Sequence, residues 1–208
     1  MNELIEKVKA LRDNEIRSVI EQRMSEFESF KEKSDNEVFK ELCFCLMTAN
    51  FNAAKSIIIQ KEINDGFLNW EKEKLAEELV RLEHRFPNTR AGFIYEAQKY
   101  KDSIKQILDS IDNDIEKRAW LVKNIKGLGL KESSHFLRNI GYKDVAIIDF
   151  HIIDLLVKES LIERPKTITP KVYIEVENLL RELSGKVNIN MGELDLYLWY
   201  EETGKVLK

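Results

Sequence analysis

Apolar residues recur at helical spacing along nearly the whole chain of 208 residues, and no stretch shows the alternation that is typical of a β-strand. Near the N-terminus one helical face carries Leu4, Val8 and Leu11, and a second helix is marked by Ile16, Val19, Ile20, Met24, Phe27 and Phe30. Further helices are predicted over about 35–47, 53–63, 71–82, 90–100, 104–108, 150–159, 170–183 and 193–202, with another that starts at Asp112 or Asp114. No internal repeat is present. The sequence therefore predicts an all-α fold.

Local signals support several of these boundaries. Ser34 followed by Glu37 has the spacing of a capping box and predicts a helix start. Pro170 suits the first turn of a helix, and Gly204 suits the residue that follows a helix end.

Two of the predicted helices are joined by a short turn that contains Gly127 and Gly129. Glycine can adopt backbone angles that are closed to other residues, so such a turn can point N–H groups outward at the start of the next helix. The helix macrodipole favours an anion at that place. No Walker-type GK[ST] ending follows, which argues against nucleotide hydrolysis. The turn is therefore a candidate cradle for the phosphates of a nucleic-acid backbone.

Lys131 is an unusual residue for the first turn of the helix that follows this hairpin. The helix N-terminus disfavours its positive charge, as an amine nucleophile requires. A short apolar run then ends in Asp149, eighteen positions later. Taken singly, Lys131 is most simply a solvated lysine and Asp149 a helix N-cap. Together with the two-glycine turn they indicate a catalytic pair.

The bulk composition excludes several classes of protein. No signal peptide is present and no apolar run approaches the length of a membrane span, so we expect a cytoplasmic protein. The net charge is −4, but residues 116–143 carry seven basic side chains against two acidic ones, which predicts a compact basic site on an acidic body. Cys43 and Cys45 are too few for a disulfide framework or a four-thiolate iron–sulfur cluster, and we expect them in the core.

The hairpin with a lysine in this position resembles the helix-hairpin-helix-Gly/Pro-Asp superfamily of DNA base-excision glycosylases. Within it, the chain is similar to the second, archaeal-type family of 8-oxoguanine DNA glycosylase/AP lyases. The similarity runs end to end and includes the segments 42–51, 84–86, 195–200 and 203–208. It implies two helical lobes with an active-site cleft between them. Residues 35–143 would form a six-helix bundle that carries the hairpin, and residues 1–34 plus 144–208 a second lobe with the catalytic aspartate and the C-terminal tail.

The resemblance also implies roles for the residues around the hairpin. Lys131 would attack C1′ of the damaged nucleotide, displace the base and form a Schiff base that drives β-elimination. Asp149 would help to deprotonate Lys131 and would stabilise positive charge that develops on the deoxyribose. Gly127, Gly129 and His151 would contact the DNA backbone.

An enzyme that acts on a base within duplex DNA must extrude the base and fill the gap. Phe86 is the candidate wedge, Arg85 the candidate partner of the estranged cytosine, and Asn50 a candidate lining of the gap. A buried phenylalanine beside a surface arginine is the alternative.

Recognition of the damaged base is assigned to the last helix and the tail. Trp199 is a candidate for stacking on the extruded purine, although a tryptophan in an apolar helix is more often a core residue. Lys208, through its side chain or its α-carboxylate, and Asp195 are candidates for reading the base edge, although most charged helix residues are simply solvated.

The expected protein is a monomeric enzyme that acts on double-stranded DNA containing 8-oxoguanine and needs no metal or other cofactor. One alternative is an oxidised-pyrimidine glycosylase/lyase of the endonuclease III kind. A second is a non-catalytic helix-hairpin-helix module that only binds DNA.

Overall fold

The computed structural model describes residues 1–208, and it consists of thirteen α-helices without a β-strand. The helices are α1 (Asn2–Arg12), α2 (Ile16–Glu28), α3 (Asp35–Thr48), α4 (Ala53–Ile63), α5 (Gly66–Asn69), α6 (Lys72–Arg81), α7 (Pro87–Ala97), α8 (Ile104–Asp109), α9 (Asp114–Asn124), α10 (Leu130–Asn139), α11 (Phe150–Lys158), α12 (Pro170–Val187) and α13 (Met191–Thr203). Two 3₁₀ turns cover Ser29–Glu32 and Gln98–Tyr100. The predicted all-α fold is confirmed.

Several helix boundaries follow from capping residues. The Ser34 side chain accepts a hydrogen bond from the Glu37 N–H at 3.3 Å and starts α3. Gly204, with a φ of +68°, ends α13 in the left-handed conformation. The predicted end of α12 was too early, because the helix continues to Val187 and stops only where Asn188 adopts a φ of +54°. The four-residue helix α5 was not predicted, since one turn is too short to show a period.

The buried apolar side chains form two separate clusters. One has 25 buried residues, all between Val38 and Val145, and the other has 22, drawn from residues 4–27 and 146–198. Of the eight α-helices within residues 35–143, six have ten residues or more. The predicted division of the chain into two lobes, residues 35–143 and residues 1–34 plus 144–208, agrees with these two apolar clusters. The division itself stays a prediction.

Cys43 and Cys45 are both free thiols within the first cluster, and burial raises the pKa of each well above its usual value. The two thiols are therefore inert packing residues, as the sequence predicted. None of the thirteen helices has the length and apolar character that a membrane crossing requires.

Candidate active site

A cleft of about 790 Å³ is lined by residues that come from the segments of both clusters. Eight of the eleven site residues that were predicted from the sequence line it: Asn50, Arg85, Lys131, Asp149, His151, Asp195, Trp199 and Lys208. The other three, Phe86, Gly127 and Gly129, lie outside its lining.

One face of α10 contributes Lys131, His135 and Arg138 to the cleft. The spacing of these residues, i, i+4 and i+7, places them in a row along the helix. Lys131 is the second residue of α10 and is partly buried. Lys126 and Arg138 are ion-paired with acidic side chains, whereas the Lys131 amine has no such partner. The row presents one unpaired amine to the cleft.

His135 is fully buried beside this amine, and the sequence analysis did not single it out. Burial lowers the pKa of His135 well below its usual value, and the positive charges of Arg138 and Lys131 lower it further. The ring is therefore neutral at neutral pH. It packs edge-on against Phe44, with ring centroids 5.8 Å apart, and its Nδ1 atom has no hydrogen-bond partner. The i, i+4 spacing from Lys131 was the signal that could have identified it.

Asp149 is the N-cap of α11. Its Oδ1 atom accepts hydrogen bonds from the backbone N–H groups of His151 at 3.0 Å and Ile152 at 3.1 Å. The cap uses this one oxygen only, so Oδ2 is free of protein partners. The two interpretations of Asp149, a helix cap and a chemical group of the cleft, are thus compatible.

Asp195 faces the same cleft but is ion-paired with Arg138, and both side chains are almost fully buried. Burial raises the pKa of Asp195 to about 6, because the loss of hydration outweighs the opposing effect of Arg138. Asp149 acts in the same direction as burial, and Lys131 acts against it. Asp195 therefore belongs to the same electrostatic unit as the two candidate catalytic groups.

A buried polar network behind the cleft holds Lys208. The Lys208 amine donates to Glu41 Oε2 at 2.7 Å and to Gln60 Oε1 at 2.6 Å, and it lies 4.2 Å from the centroid of the Phe44 ring. Glu41 also accepts a hydrogen bond from Asn139 at 2.6 Å. The amine of Lys208 is thus engaged by the protein itself. The sequence analysis missed Glu41, although a carboxylate within the apolar run of α3 was a visible signal.

Trp199 and His151 meet at one side of the cleft, with their ring centroids 4.9 Å apart and their planes nearly perpendicular. Trp199 is partly buried, and its indole N–H has no hydrogen-bond partner. His151 is exposed. Neither residue is a simple core residue, since both line the cleft.

The predicted wedge residues lie on two loops that are bonded to each other. His84 is buried, its Nδ1 atom accepts from the Phe86 N–H at 3.0 Å, and its Nε2 atom therefore donates to the Met47 carbonyl, also at 3.0 Å. Buried Arg90 donates to the Ala49 carbonyl at 2.7 Å. These bonds fix the C-terminal end of α3, just before Asn50, against the loop that carries Arg85 and Phe86 and the start of α7.

The wedge candidates themselves differ in exposure. Arg85 is exposed, and its guanidinium lies 4.9 Å from the centroid of the partly buried Phe86 ring. Asn50 is exposed and adopts a left-handed φ of +57°. Arg85 and Asn50 lie at the same cleft, and Phe86 lies behind Arg85.

The hairpin between α9 and α10 uses its two glycines differently. Gly127 has a φ of +96°, and a Cβ atom there would lie 2.3 Å from the Phe93 ring. Gly129 has an extended conformation with a φ of −96°, so only Gly127 uses the backbone freedom that is special to glycine. The Gly129 N–H donates to the Glu132 carboxylate at 3.3 Å, whereas the N–H groups of Gly127 and Lys131 have no acceptor in the protein.

The predicted basic site within residues 116–143 carries less free charge than the sequence count indicates, because five of its seven cations contact other groups of the protein. Arg118 and Arg138 are buried in ion pairs, and Lys117 is buried against the Ile111 carbonyl. Lys126 and Lys143 pair with Glu96 and Glu28. A charge count along the sequence includes cations that never reach the surface.

No three His, Cys, Asp or Glu side chains come together in an arrangement that could hold a metal ion. The cleft offers four kinds of chemical group. They are the Lys131 amine without an ion-pair partner, the Asp149 carboxylate with one free oxygen, the neutral His135 imidazole, and the aromatic rings of Trp199 and His151.

Residues 20–189 match the sequence model of a family described as 8-oxoguanine DNA glycosylase. The chain belongs to this family. Two 8-oxoguanine DNA glycosylase/AP lyases are close relatives along their full length. That of Methanocaldococcus jannaschii is 52% identical over 206 residues, with 99% of each chain covered. That of Korarchaeum cryptofilum is 50% identical over 209 residues, with 100% of this chain and 99% of the relative covered.

Solved structures of the 8-oxoguanine DNA glycosylase family share the fold. The M. jannaschii 8-oxoguanine glycosylase/lyase, in complex with a 15mer DNA containing 8-oxoguanine, superposes with a TM-score of 0.95 at 52% identity and 99% coverage of both chains. The 8-oxoguanine DNA glycosylase of Thermotoga maritima superposes with a TM-score of 0.92 at 41% identity, with 100% of this chain and 99% of the other covered. The helix-hairpin-helix architecture predicted from the resemblance is thereby confirmed.

Proposed function

We propose that this protein excises 8-oxoguanine from double-stranded DNA and then cleaves the strand at the abasic site, with Lys131 as nucleophile and Asp149 as the charge-stabilising carboxylate. The observation that carries the proposal is the cleft itself. Within the fold of this family it presents an amine without an ion-pair partner and a carboxylate with one free oxygen.

The chemistry follows from these two groups. The Lys131 amine attacks C1′, the glycosidic bond breaks, and its electron pair leaves with the base, which takes up a proton. Asp149 stabilises the positive charge that develops on the deoxyribose and accepts a proton from the amine. The sugar ring then opens to a Schiff base. The imine makes the C2′ proton acidic, so its removal expels the 3′ phosphate by β-elimination.

The remaining predicted residues take binding roles in this proposal. The free N–H groups of the hairpin at Gly127 and Lys131 bind phosphate oxygens, together with Gly129 and His151. Arg85, supported by Phe86 and Asn50, fills the gap left by the extruded base.

The base itself enters beside Trp199, with Asp195 and the C-terminal tail at Lys208 as the polar wall. Because the Lys208 amine is already bonded to Glu41 and Gln60, the main chain of the tail is better placed than its side chain to contact the base. We further propose that the enzyme acts as a cytoplasmic monomer without a metal.

The first test is borohydride trapping on a duplex with a single 8-oxoguanine opposite cytosine. Borohydride reduces the Schiff base to a stable covalent adduct, which is read on a denaturing gel. We expect an adduct with the wild-type protein and none with Lys131→Gln, since the amide cannot form an imine. DNA binding by Lys131→Gln should remain within a few-fold of the wild type.

Lys158→Gln is the matched control, because it removes the same charge from an exposed position outside the cleft, and it should trap normally. Normal strand cleavage by Lys131→Gln would refute the mechanism. A parallel duplex with thymine glycol tests the substrate, and an adduct on that strand alone would favour the oxidised-pyrimidine alternative. DNA binding without any adduct would favour a non-catalytic module.

A further inference from the structure

The buried chain segment that leads to Asp149 is held by one tyrosine of α12. Tyr173 is 3% exposed, and its hydroxyl donates to the Ala146 carbonyl at 2.6 Å. The Ile148 N–H points to the same phenolic oxygen at 3.4 Å. The hydroxyl therefore contacts the backbone at Ala146 and at Ile148, and Asp149 directly follows Ile148.

The same hydroxyl also reaches the helix that carries Lys131. The Ser134 hydroxyl lies 3.2 Å from the Tyr173 oxygen, and Ser134 follows Lys131 by three residues on α10. Because the single phenolic proton goes to the Ala146 carbonyl, the Tyr173 oxygen accepts from both the Ser134 hydroxyl and the Ile148 N–H. All three hydrogen-bonding positions of the phenol are thus filled.

Glu177 completes this arrangement one helical turn after Tyr173. Its Oε1 atom accepts from the Ala146 N–H at 2.8 Å, and its two oxygens bind Arg118 at 2.6 and 2.7 Å. Arg118 in turn lies 3.2 Å from the Ser134 hydroxyl. The contacts form a closed buried network that joins α9, α10 and α12 to the segment before Asp149.

We infer that Tyr173 is a positioning residue of the proposed reaction: its hydroxyl sets the separation of the Lys131 amine and the Asp149 carboxylate by bonding both the helix of one and the approach segment of the other. The inference rests on the proposed function. Tyr173 lies outside the lining of the cleft, so it acts through its neighbours.

The step most sensitive to this separation is base excision. Charge develops on the deoxyribose only while the glycosidic bond breaks, and the carboxylate must then be close to the sugar. A preformed abasic site already carries an aldehyde, which reacts with the Lys131 amine without that stabilisation. A positional error at Asp149 therefore slows excision more than it slows Schiff-base formation on an abasic site.

The test is Tyr173→Phe, which removes the hydroxyl and keeps the buried ring. With saturating enzyme, the single-turnover rate of 8-oxoguanine release should fall about 10- to 100-fold, as expected for a misplaced catalytic group. The final fraction of released base should remain that of the wild type. Borohydride trapping on a preformed abasic site should change far less than excision does. A purely structural role would instead lower the reactive fraction and affect both substrates alike.

Tyr142→Phe is the matched control, since its hydroxyl donates to Asp109 on the protein surface, and it should excise at the wild-type rate. Ser134→Ala provides a second variant that breaks the bridge from α10 with a smaller change, and it should show the same preference for the abasic substrate. Wild-type excision rates in both Tyr173→Phe and Ser134→Ala would overturn the inference while leaving the proposed function intact. A wild-type protein that releases no 8-oxoguanine would instead refute the proposed function.

Discussion

Lys131 lies among charged side chains that are already paired with one another. Arg138 is held by Asp195, and Lys208 by Glu41, so these two cations of the cleft each have their own carboxylate. A carboxylate bonded to the Lys131 amine would occupy the nitrogen that attacks C1′ in the proposed reaction. The ion pairs around the cleft therefore favour the proposed reaction, because they engage the neighbouring carboxylates and leave the Lys131 amine without an ion-pair partner.

The pKa of Asp195 gives a prediction for stability against pH. The carboxyl has a usual pKa of 3.8 and titrates at about 6 in the folded protein, because burial disfavours its charge. Between these pH values the folded protein holds more protons than the unfolded chain. The free energy of unfolding therefore falls as the pH rises through this window.

The measurement compares urea unfolding of the wild type and Asp195→Asn at several pH values. Groups that do not interact with Asp195 cancel in the difference. The stability of the wild type relative to the variant should decline between about pH 4 and pH 6 and stay level above that range. A relative stability that is flat or increases over the same range would contradict the assigned pKa.

Among the individual residues, the sequence predicted those whose residue type is unusual for their position in the chain. A lysine after a two-glycine turn and an aspartate after an apolar run are such residues, and both line the cleft. The contact between Glu41 and Asn139 was not predicted, because the two residues are 98 positions apart in the chain. The Glu41–Lys208 contact spans 167 positions, so the apolar run around Glu41 marks that residue as unusual but does not indicate its partner.

The hairpin is the element whose conformation matters most to the proposed DNA contacts, and Gly127 is its most constrained residue. We expect Gly127→Ala to lower the free energy of unfolding by about 2–4 kcal/mol, from the left-handed backbone and from the displaced Phe93 ring. Urea denaturation measures this loss, and the variant should also bind DNA more weakly.

Gly129→Ala is the comparison within the same element. Its backbone is extended, and the added methyl group would meet only the flexible Glu132 carboxylate, at 3.2 Å. The expected loss of stability is below about 1 kcal/mol. Equal losses for the two variants would show that strain at Gly127 is not the determining factor.

Helices were predictable where one face is apolar for several turns and a cap marks the end. The segment α4 was predicted with its observed bounds, because Asn64 and Gly66 interrupt the pattern immediately after Ile63. The start of α7 was placed at Arg90, three residues late, since Pro87 and its polar neighbours show no apolar period. The one-turn helix α5 was missed because four residues are too few to show a period.

For the whole molecule, the ion pair between Arg118 and Glu177 joins a helix of the first apolar cluster to a helix of the second. Both side chains are at most 4% exposed. Removal of one partner leaves a buried charge, so Arg118→Met should lower the free energy of unfolding by about 3–5 kcal/mol. Because Met at both positions leaves no isolated charge, the double variant should lose less than the sum of the single variants.

The check is a double-mutant cycle in urea at one pH. Arg164→Met serves as the control, because its partner Asp154 is exposed and surface ion pairs contribute about 1 kcal/mol or less. Additive losses for Arg118 and Glu177 would mean that the pair is not coupled across the two clusters.

At this scale the sequence predicted the fold class and, through the resemblance, the family, but not the distribution of charge. A count of cations along residues 116–143 could not separate Arg118, which is buried in an ion pair, from Lys123, which is exposed. Burial depends on which helices pack together, and that information is not local.

The buried network around Tyr173 depends on residues that are synthesised late. Both residues proposed to do the chemistry are synthesised before residue 150, whereas the side chains that hold them in register, Tyr173 and Glu177, come later. A nascent chain with only its first 150 residues folded would carry the reactive amine without a fixed geometry. The geometry proposed for the reaction is therefore completed only when α12 packs against the rest of the chain, late in synthesis.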